Sequence, residues 1–346
     1  MDTVTQMLLG ATVAQAGFRR RFGRRALAVG AAVALLPDLD VVAGWIGGPY
    51  ASWLHHRGLT HSLLVGPAAG VLLGWLVWAW HRRRHGPASP WGADDARRGW
   101  IWLALLAFMT HPIIDVFTSY GTQWLYPLTD TRFALDAMPI IDPVYSLALI
   151  IAVVVGATVR RRIALAQDVA AAALFFITAY TLGAWAINDR AEAVARAQID
   201  GPAEVSAYPT LFQPFLRRVV VETGDTLLVG FHSVLAADRE IVWQRFSRVR
   251  SPAIEQVAAT PEAALFRWFA NGRVFWRERP LDGGGTLVQA FDVRYGLPGT
   301  TVLGFWGIQA SVDGAGGLDG AVEVVRPPRD TSAAAWRDLW TRIVGG

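Results

Sequence analysis

Leu63–Trp80 reads LLVGPAAGVLLGWLVWAW, 18 residues without a single charge. With Ser62 before it, the stretch Ser62–Trp80 is expected to be long enough as a helix to cross a hydrocarbon core of roughly 30 Å. Working outward, Trp100–Thr118 is a second apolar stretch, interrupted by Thr110, His111, Pro112 and Asp115. Val144–Val159 is a third, and Ile163–Ile187, with Asp168 near its start, is a fourth. Ala26–Leu36 is too short to span alone and runs into Pro37; together with Asp38–Ile46 it is expected to cross or dip into a membrane. Met1–Gly17 reads as an interfacial or short spanning helix. Asp2 stands where a signal peptide carries basic residues, and Arg19–Arg21 follow the apolar part, so a cleaved leader is not expected.

The whole chain agrees with this start. Of 346 residues, 53% are apolar and only 17% charged, which excludes a disordered chain and fits poorly with an ordinary soluble enzyme. No cysteine is present, so disulfides, thiolate zinc sites and thiol catalysis are excluded. The net charge is +4, and every basic side chain other than histidine is arginine. An arginine-based nucleic-acid binder would share that trait. Here, however, the arginines interrupt apolar segments, as membrane topology requires, and no nucleic-acid partner is expected.

Arg19, Arg20, Arg21, Arg24 and Arg25 form one cluster; Arg82, Arg83, Arg84, Arg97 and Arg98 a second; Arg160, Arg161 and Arg162 a third. The alternating segments 38–61 and 119–142 hold only Arg57 and Arg132, a ratio of thirteen to two. The positive-inside rule therefore puts the clusters in the cytoplasm and the intervening segments on the outer face. The last apolar helix then runs outward, and the C-terminal half follows it.

That half has soluble composition. Arg218–Val221 and Thr226–Ser233 are β-rich around the turn Thr223-Gly224-Asp225, and Glu240–Phe246, Arg273–Arg279 and Thr286–Tyr295 continue the pattern. The last two are joined by Asp282-Gly283-Gly284-Gly285, while Pro261–Ala270 and Ala333–Val344 read as helices. The expected architecture is an α-helical polytopic membrane domain (1–190) followed by a smaller α+β, sheet-rich extramembrane domain (191–346).

Four polar groups interrupt the apolar half: Leu36-Pro37-Asp38-Leu39-Asp40, His55–Ser62, Thr110–Asp115, and the loop Tyr120–Asp142 with Asp130, Arg132, Asp136 and Asp142. Under the arginine topology all four fall at the outer helix ends, although they were not used to set it. Ionisable groups in such segments are costly and tend to face a bundle interior or cavity. His111 and Asp115, four apart, share a helix face, while Pro112 between them should disturb the helix and free a carbonyl. Imidazole and carboxylate without thiolate suit zinc, manganese or iron. Asp38, Asp40, His56, His61, His111 and Asp115 are thus candidate ligands for one or two divalent ions. Arg57, and with less support Arg132, is placed to neutralise a phosphate or developing oxyanion. Asp40 or Asp115 is a candidate general base if it is not a ligand.

Blander readings stand beside these. Asp38 is equally a helix stop. His55 reads as readily as a plain loop histidine. His111 and Asp115 would also serve as a hydrogen-bonded packing pair. Asp130 and Asp136 read as solvated loop acids, and Asp142 before Pro143 as a helix cap. His81 and His85 fall in the cytoplasmic arginine cluster, His232 in a strand, and Asp168 and Asp189 at the ends of the last helix.

LPDLD, HHRGLTHS and THPIIDVFTSYGTQWLYPLTD, in that order between apolar segments, resemble the YdjM-like family of inner-membrane proteins described as metal-dependent hydrolases. The resemblance covers about residues 1–190, and the HRGxTHS element is its most specific part. PFLRRVVV in the second half resembles, more weakly, the extracytoplasmic domain of longer members. The resemblance implies a membrane hydrolase with a metal centre, and its motif residues fall on Asp38, Asp40, His56, Arg57, His61, His111 and Asp115. It implies no particular substrate; a membrane site with Arg57 among the ligands favours a lipid-linked phosphoester. Two other readings compete: a transporter or ion-handling protein, which would distribute polar groups through the membrane depth, and an envelope scaffold with a structural metal.

Overall fold

A computed structural model describes every residue except 160, 283, 299–302, 328–331 and 346. Arg160 of the third arginine cluster and Gly283 of the expected turn therefore lie outside the described residues. The chain divides into two compact units: Met1–Ile46 with His55–Gly183, and Gly47–Leu54 with Ala184–Gly346. The segment Gly47–Leu54, which sequence reading assigns to the first region, belongs to the second unit.

The first unit is helical: α1 (Thr3–Phe22), α2 (Arg25–Leu35), α3 (Val42–His55, whose last turns belong to the second unit), α4 (Gly66–His85), α5 (Ala96–Asp115), α6 (Pro143–Thr158) and the first part of α7 (Ile163–Arg196). Asp2 caps α1 by accepting from Thr5 N at 3.0 Å, and Asp142 caps α6 by accepting from Tyr145 N at 2.9 Å; each such cap is worth about 1 kcal/mol. Small residues bring the helices together. A Cβ on Gly10 would stand 2.3 Å from the Gly30 carbonyl oxygen, and one on Gly30 would stand 2.3 Å from that of Gly10. Only a glycine pair lets the α1 and α2 backbones meet this closely. Ala14, Phe22, Ala26, Trp100 and Leu103 then form one buried cluster, and Val33, Ala104, Ala107 and Phe108 another.

Among the described residues, two helical stretches, Arg25–His55 and Ile163–Arg196, are long and apolar enough to cross a membrane; Pro143–Thr158 is apolar but shorter. The expectation of four comparable spans is thus met only in part. α4 ends in Arg82–Arg84 and α5 opens on Arg97 and Arg98, which shortens their apolar runs. Asp168 and Asp189 lie inside α7, not at its ends.

The second unit holds two four-stranded antiparallel sheets, each a simple meander. The first orders β1 (Glu204–Pro209), β2 (Leu216–Glu222), β3 (Thr226–Ser233) and β4 (Gln244–Ser247). The second orders β5 (Val274–Pro280), β6 (Gly285–Asp292), β7 (Gly307–Asp313) and β8 (Leu318–Val325). Tyr208, Val220, Leu227 and Val229 of the first sheet pack with Phe275 and Val293, and Ala191 and Ala195 of α7 pack on Val219, Val221 and Leu228. Helices α8 (Pro252–Ala258), α9 (Pro261–Phe269) and α10 (Ala333–Val344) complete the unit. Strands β1, β7 and β8 and helix α8 were not expected from sequence. Gly314, Gly316, Gly317 and Gly320 break up the alternation around the β7–β8 turn, and β8 is largely exposed, so no buried face marks it.

Candidate metal centre

Pro37 shapes the first motif. Its ring nitrogen cannot donate to Val33, so α2 stops at Leu35 and the chain tightens into a 3-10 turn over Leu36–Val41. This frees helix-end carbonyls and points Asp38 and Asp40 away from the helix axis. The Ala34 carbonyl accepts from His111 Nδ1 at 2.6 Å. That bond places the proton on Nδ1 and leaves Nε2 as a bare donor of electrons, 3.2 Å from Asp38 Oδ1.

His61 is prepared in the same way. Its Nδ1 faces Asp40 Oδ2 at 3.2 Å and Thr60 Oγ1 at 3.1 Å, so Nε2 turns inward, 3.3 Å from Asp115 Oδ2. His111 Nε2 is 3.6 Å from the same oxygen, through the i,i+4 spacing on α5. The helix runs through Pro112 to Asp115, and Trp124 Nε1 donates to the Pro112 carbonyl at 2.8 Å. Asp38, His61, His111 and Asp115 each present one ligand atom, and these atoms lie within 4.8 Å of one another. His61, His111 and Asp115 are fully buried.

Two atoms of this cluster test its fit to a metal. His61 Nε2 and Asp115 Oδ2 are buried and have no hydrogen-bond partner. They lie 3.3 Å from each other, and Arg57 Nε stands 3.0 Å from Asp115 Oδ2 as its ion-pair partner. A divalent cation among two imidazole nitrogens and two carboxylate oxygens would satisfy both, and the donor set is one that zinc, manganese and iron accept.

Asp40 occupies a different place. Its Oδ1 receives His56 Nδ1 at 2.7 Å, and its Oδ2 receives Arg57 N at 2.9 Å and Thr60 Oγ1 at 2.9 Å, besides His61. These contacts let Asp40 support His61 and His56 from behind, while Oδ1 meets His56 alone. Asp38, Asp40 and His56 also form a second group with metal-compatible spacing.

Arg57 has φ +64°, a left-handed conformation that costs a non-glycine residue about 1–2 kcal/mol. Its surroundings over-determine it: its N–H donates to Asp40, its carbonyl accepts from Gln123 N at 2.9 Å, and Nη1 donates to Thr118 Oγ1 at 2.7 Å. Its Nε lies 3.0 Å from Asp115 Oδ2, and the guanidinium stacks 4.8 Å over the Tyr120 ring. Arg132 stacks on the same ring at 5.0 Å and donates to the carbonyls of Tyr120 and Gly121. It thus braces the loop.

Sequence reading missed Gln6, whose Nε2 donates to Asp115 Oδ1 at 3.0 Å, and the buried Met1 amino group, which bonds the same oxygen. Thr118, Thr60 and Tyr120 were missed as partners as well. A signal existed for Gln6: Thr5, Gln6, Thr12 and Gln15 are polar residues of an apolar helix, and all are buried. His81 stacks on Trp100 at 4.8 Å, and His232 is buried in β3 of the second unit.

The sequence profile of the family described as YdjM inner membrane protein matches residues 1–191. The chain belongs to this family. The matched span holds every residue of the centre. Among relatives, the inner membrane protein YbcI of Escherichia coli (strain K12) is 31% identical over 111 residues, which are 32% of this chain and 57% of that protein. The uncharacterized protein YfhP of Bacillus subtilis (strain 168) is 27% identical over 107 residues, 31% of this chain and 29% of that protein. The chain thus spans between about a third and three fifths of these relatives' length. No solved structure matches the chain. Family and relative together make this YdjM-family chain an inner membrane protein.

Proposed function

We infer that the chain is a membrane-bound, divalent-metal-dependent hydrolase acting on a lipid-linked phosphoester. The observation that carries this reading is the convergence of four ligand atoms, from Asp38, His61, His111 and Asp115, within 4.8 Å of one another, with the Nδ1 of both histidines turned to other partners. Asp38, His61, His111 and Asp115 would hold the ion, zinc or manganese by their chemistry. When bound, it supplies Lewis acidity and a nucleophile at neutral pH. Arg57 orients Asp115 and offers a guanidinium that a phosphate can pair with. Asp40, which contacts His56, Arg57 N, Thr60 and His61, orients His61 rather than acting as base. The gathering of the motif histidines and aspartates in one cluster supports this reading over a transporter, whose ionisable groups would be spread along the helices.

We read the helical unit as polytopic with the centre at the extracytoplasmic face. In α1, α2, α4 and α5 the arginines lie at the end opposite the motif residues: Arg19–Arg21 against Gln6, Arg25 against Asp38, Arg82–Arg84 against His61, and Arg97–Arg98 against Asp115. The natural chain has no cysteine. An Ala315→Cys variant labelled on intact spheroplasts by a membrane-impermeant maleimide is expected, and labelling only after lysis would reverse the topology. For the activity, purified protein should carry stoichiometric metal and release phosphate from 1-palmitoyl-2-oleoyl phosphatidic acid, with both lost in His61→Ala. Activity that survives in metal-free His61→Ala protein would refute the metal-dependent mechanism, and wild-type protein that binds metal but releases no phosphate would refute the hydrolase on this substrate.

A further inference from the structure

Beside the centre, on α5, lies an apolar cavity of about 290 Å³. Thr110, Ile113, Ile114 and Phe117 line it, at i, i+3, i+4 and i+7. They form the stripe next to the one that carries His111 and Asp115. Facing residues come from α1, α6 and α7. Leu9 of α1 is three residues from Gln6, whose amide holds Asp115. The cavity and the centre are therefore built on the same turns of two helices.

The wall chemistry is specific. Three threonines line the cavity, and each turns its hydroxyl onto its own helix: Thr110 to the Ala107 carbonyl, Thr178 to Leu174 and Thr181 to Ile177, all at 2.8 Å. The hydroxyl protons are used, and methyl groups remain to face the cavity. Such a slot takes hydrocarbon and rejects a polar headgroup. Its floor is closed by Leu9, Ile114 and Ile177, which are 3–7% exposed, while its rim carries Ile113 at 46% and Leu182 at 51%. An apolar rim on α7, one of the two helices able to cross the membrane, opens where an inner membrane protein meets acyl chains.

We propose that this cavity is the tail slot of the enzyme: it seats one hydrocarbon chain of a membrane lipid beside the turn that carries His111 and Asp115. The substrate class is then an amphiphile whose chain is recognised separately from its phosphoester. The slot deepens the hydrolase reading above but is tested without depending on it. Leu182→Trp narrows the rim and Thr178→Trp fills the wall, and the full chain is studied in nanodiscs containing 1-palmitoyl-2-oleoyl phosphatidic acid. After release into detergent, native mass spectrometry should find one retained lipid on the wild type and at least tenfold less on both variants, with bound metal unchanged. Equal retention in wild type and variants overturns the slot. In turnover, the ratio of kcat/KM for this lipid to that for its dibutyryl analogue should fall at least tenfold. An equal fall on both substrates overturns the slot, because it shows only a damaged centre. If the wild type hydrolyses neither substrate, the hydrolase reading fails, and lipid retention alone decides the slot.

Discussion

His111 Nδ1 is bound by the Ala34 carbonyl at 2.6 Å, although 77 positions separate the two residues. The bond exists because Pro37 ends α2 and leaves that carbonyl without its helical partner. A proline in one motif thereby sets the tautomer of a histidine in another.

Pro37→Ala should consequently weaken the metal. With an N–H restored at position 37, α2 can extend by a turn and reclaim its carbonyls, and Asp38 is re-aimed. Loss of such a supporting bond typically costs about 10–100-fold in metal affinity. Competition against a chromogenic chelator measures it; an unchanged affinity would show that the Ala34 bond is dispensable.

Asp40→Asn separates support from ligation. It removes the charged acceptor behind His61 and His56 while leaving the four inward atoms in place. Metal affinity is expected to drop about 10–100-fold, whereas Asp115→Asn or His61→Ala should abolish stoichiometric binding. Complete loss in Asp40→Asn would instead make Asp40 a ligand.

Arg57 offers a paired test of backbone and side chain. Arg57→Ala and Arg57→Gly both remove the guanidinium beside buried Asp115. Only glycine adopts φ +64° without strain. The glycine variant should be the more stable of the two by about 1 kcal/mol, read as a higher midpoint in thermal unfolding, and both should lose most turnover.

Chelation should destabilise the helical unit. A ligand that binds the folded state alone stabilises it, and free metal at about a hundred times its Kd adds roughly 2.7 kcal/mol. The melting temperature should fall with EDTA and recover with zinc or manganese, and not with sodium. A melting temperature indifferent to EDTA in protein shown to be metal-free would count against the centre.

The second unit should be sensitive to acid through His232. Burial first, and then the charge of Arg190, hold its pKa below the ordinary imidazole value. The neutral form is therefore favoured in the folded state. This contribution is intact above the unfolded pKa of about 6.5 and is lost as pH falls from there through the folded value. His232→Phe should flatten that part of the stability–pH curve. A curve with the same slope in both proteins would show that other groups govern it.

Much of this was legible from patterns. The i,i+4 spacing of His111 and Asp115, the Asp38/Asp40 pair after Pro37 and the His56–His61 turn carry ligand chemistry on their face. Gln6 was not legible as a partner of Asp115, because its role depends on α1 passing α5, which the Gly10–Gly30 approach helps to fix. Strands β7 and β8 were hidden because glycines interrupt their alternation and β8 has little buried face.

The sequence by itself determined that apolar helices alternate with arginine clusters, that imidazoles and carboxylates gather at the opposite helix ends, and that a sheet-rich unit follows. These are local properties of composition and period. Only the tertiary structure decided which atoms face one another: that Asp38, His61, His111 and Asp115 bring ligand atoms within 4.8 Å of one another, and that Asp40 stands behind His61 in contact with Arg57 N and Thr60 Oγ1. Ligand geometry depends on ångström-scale distances between residues far apart in the chain, and those are set by helix packing rather than by spacing along the sequence.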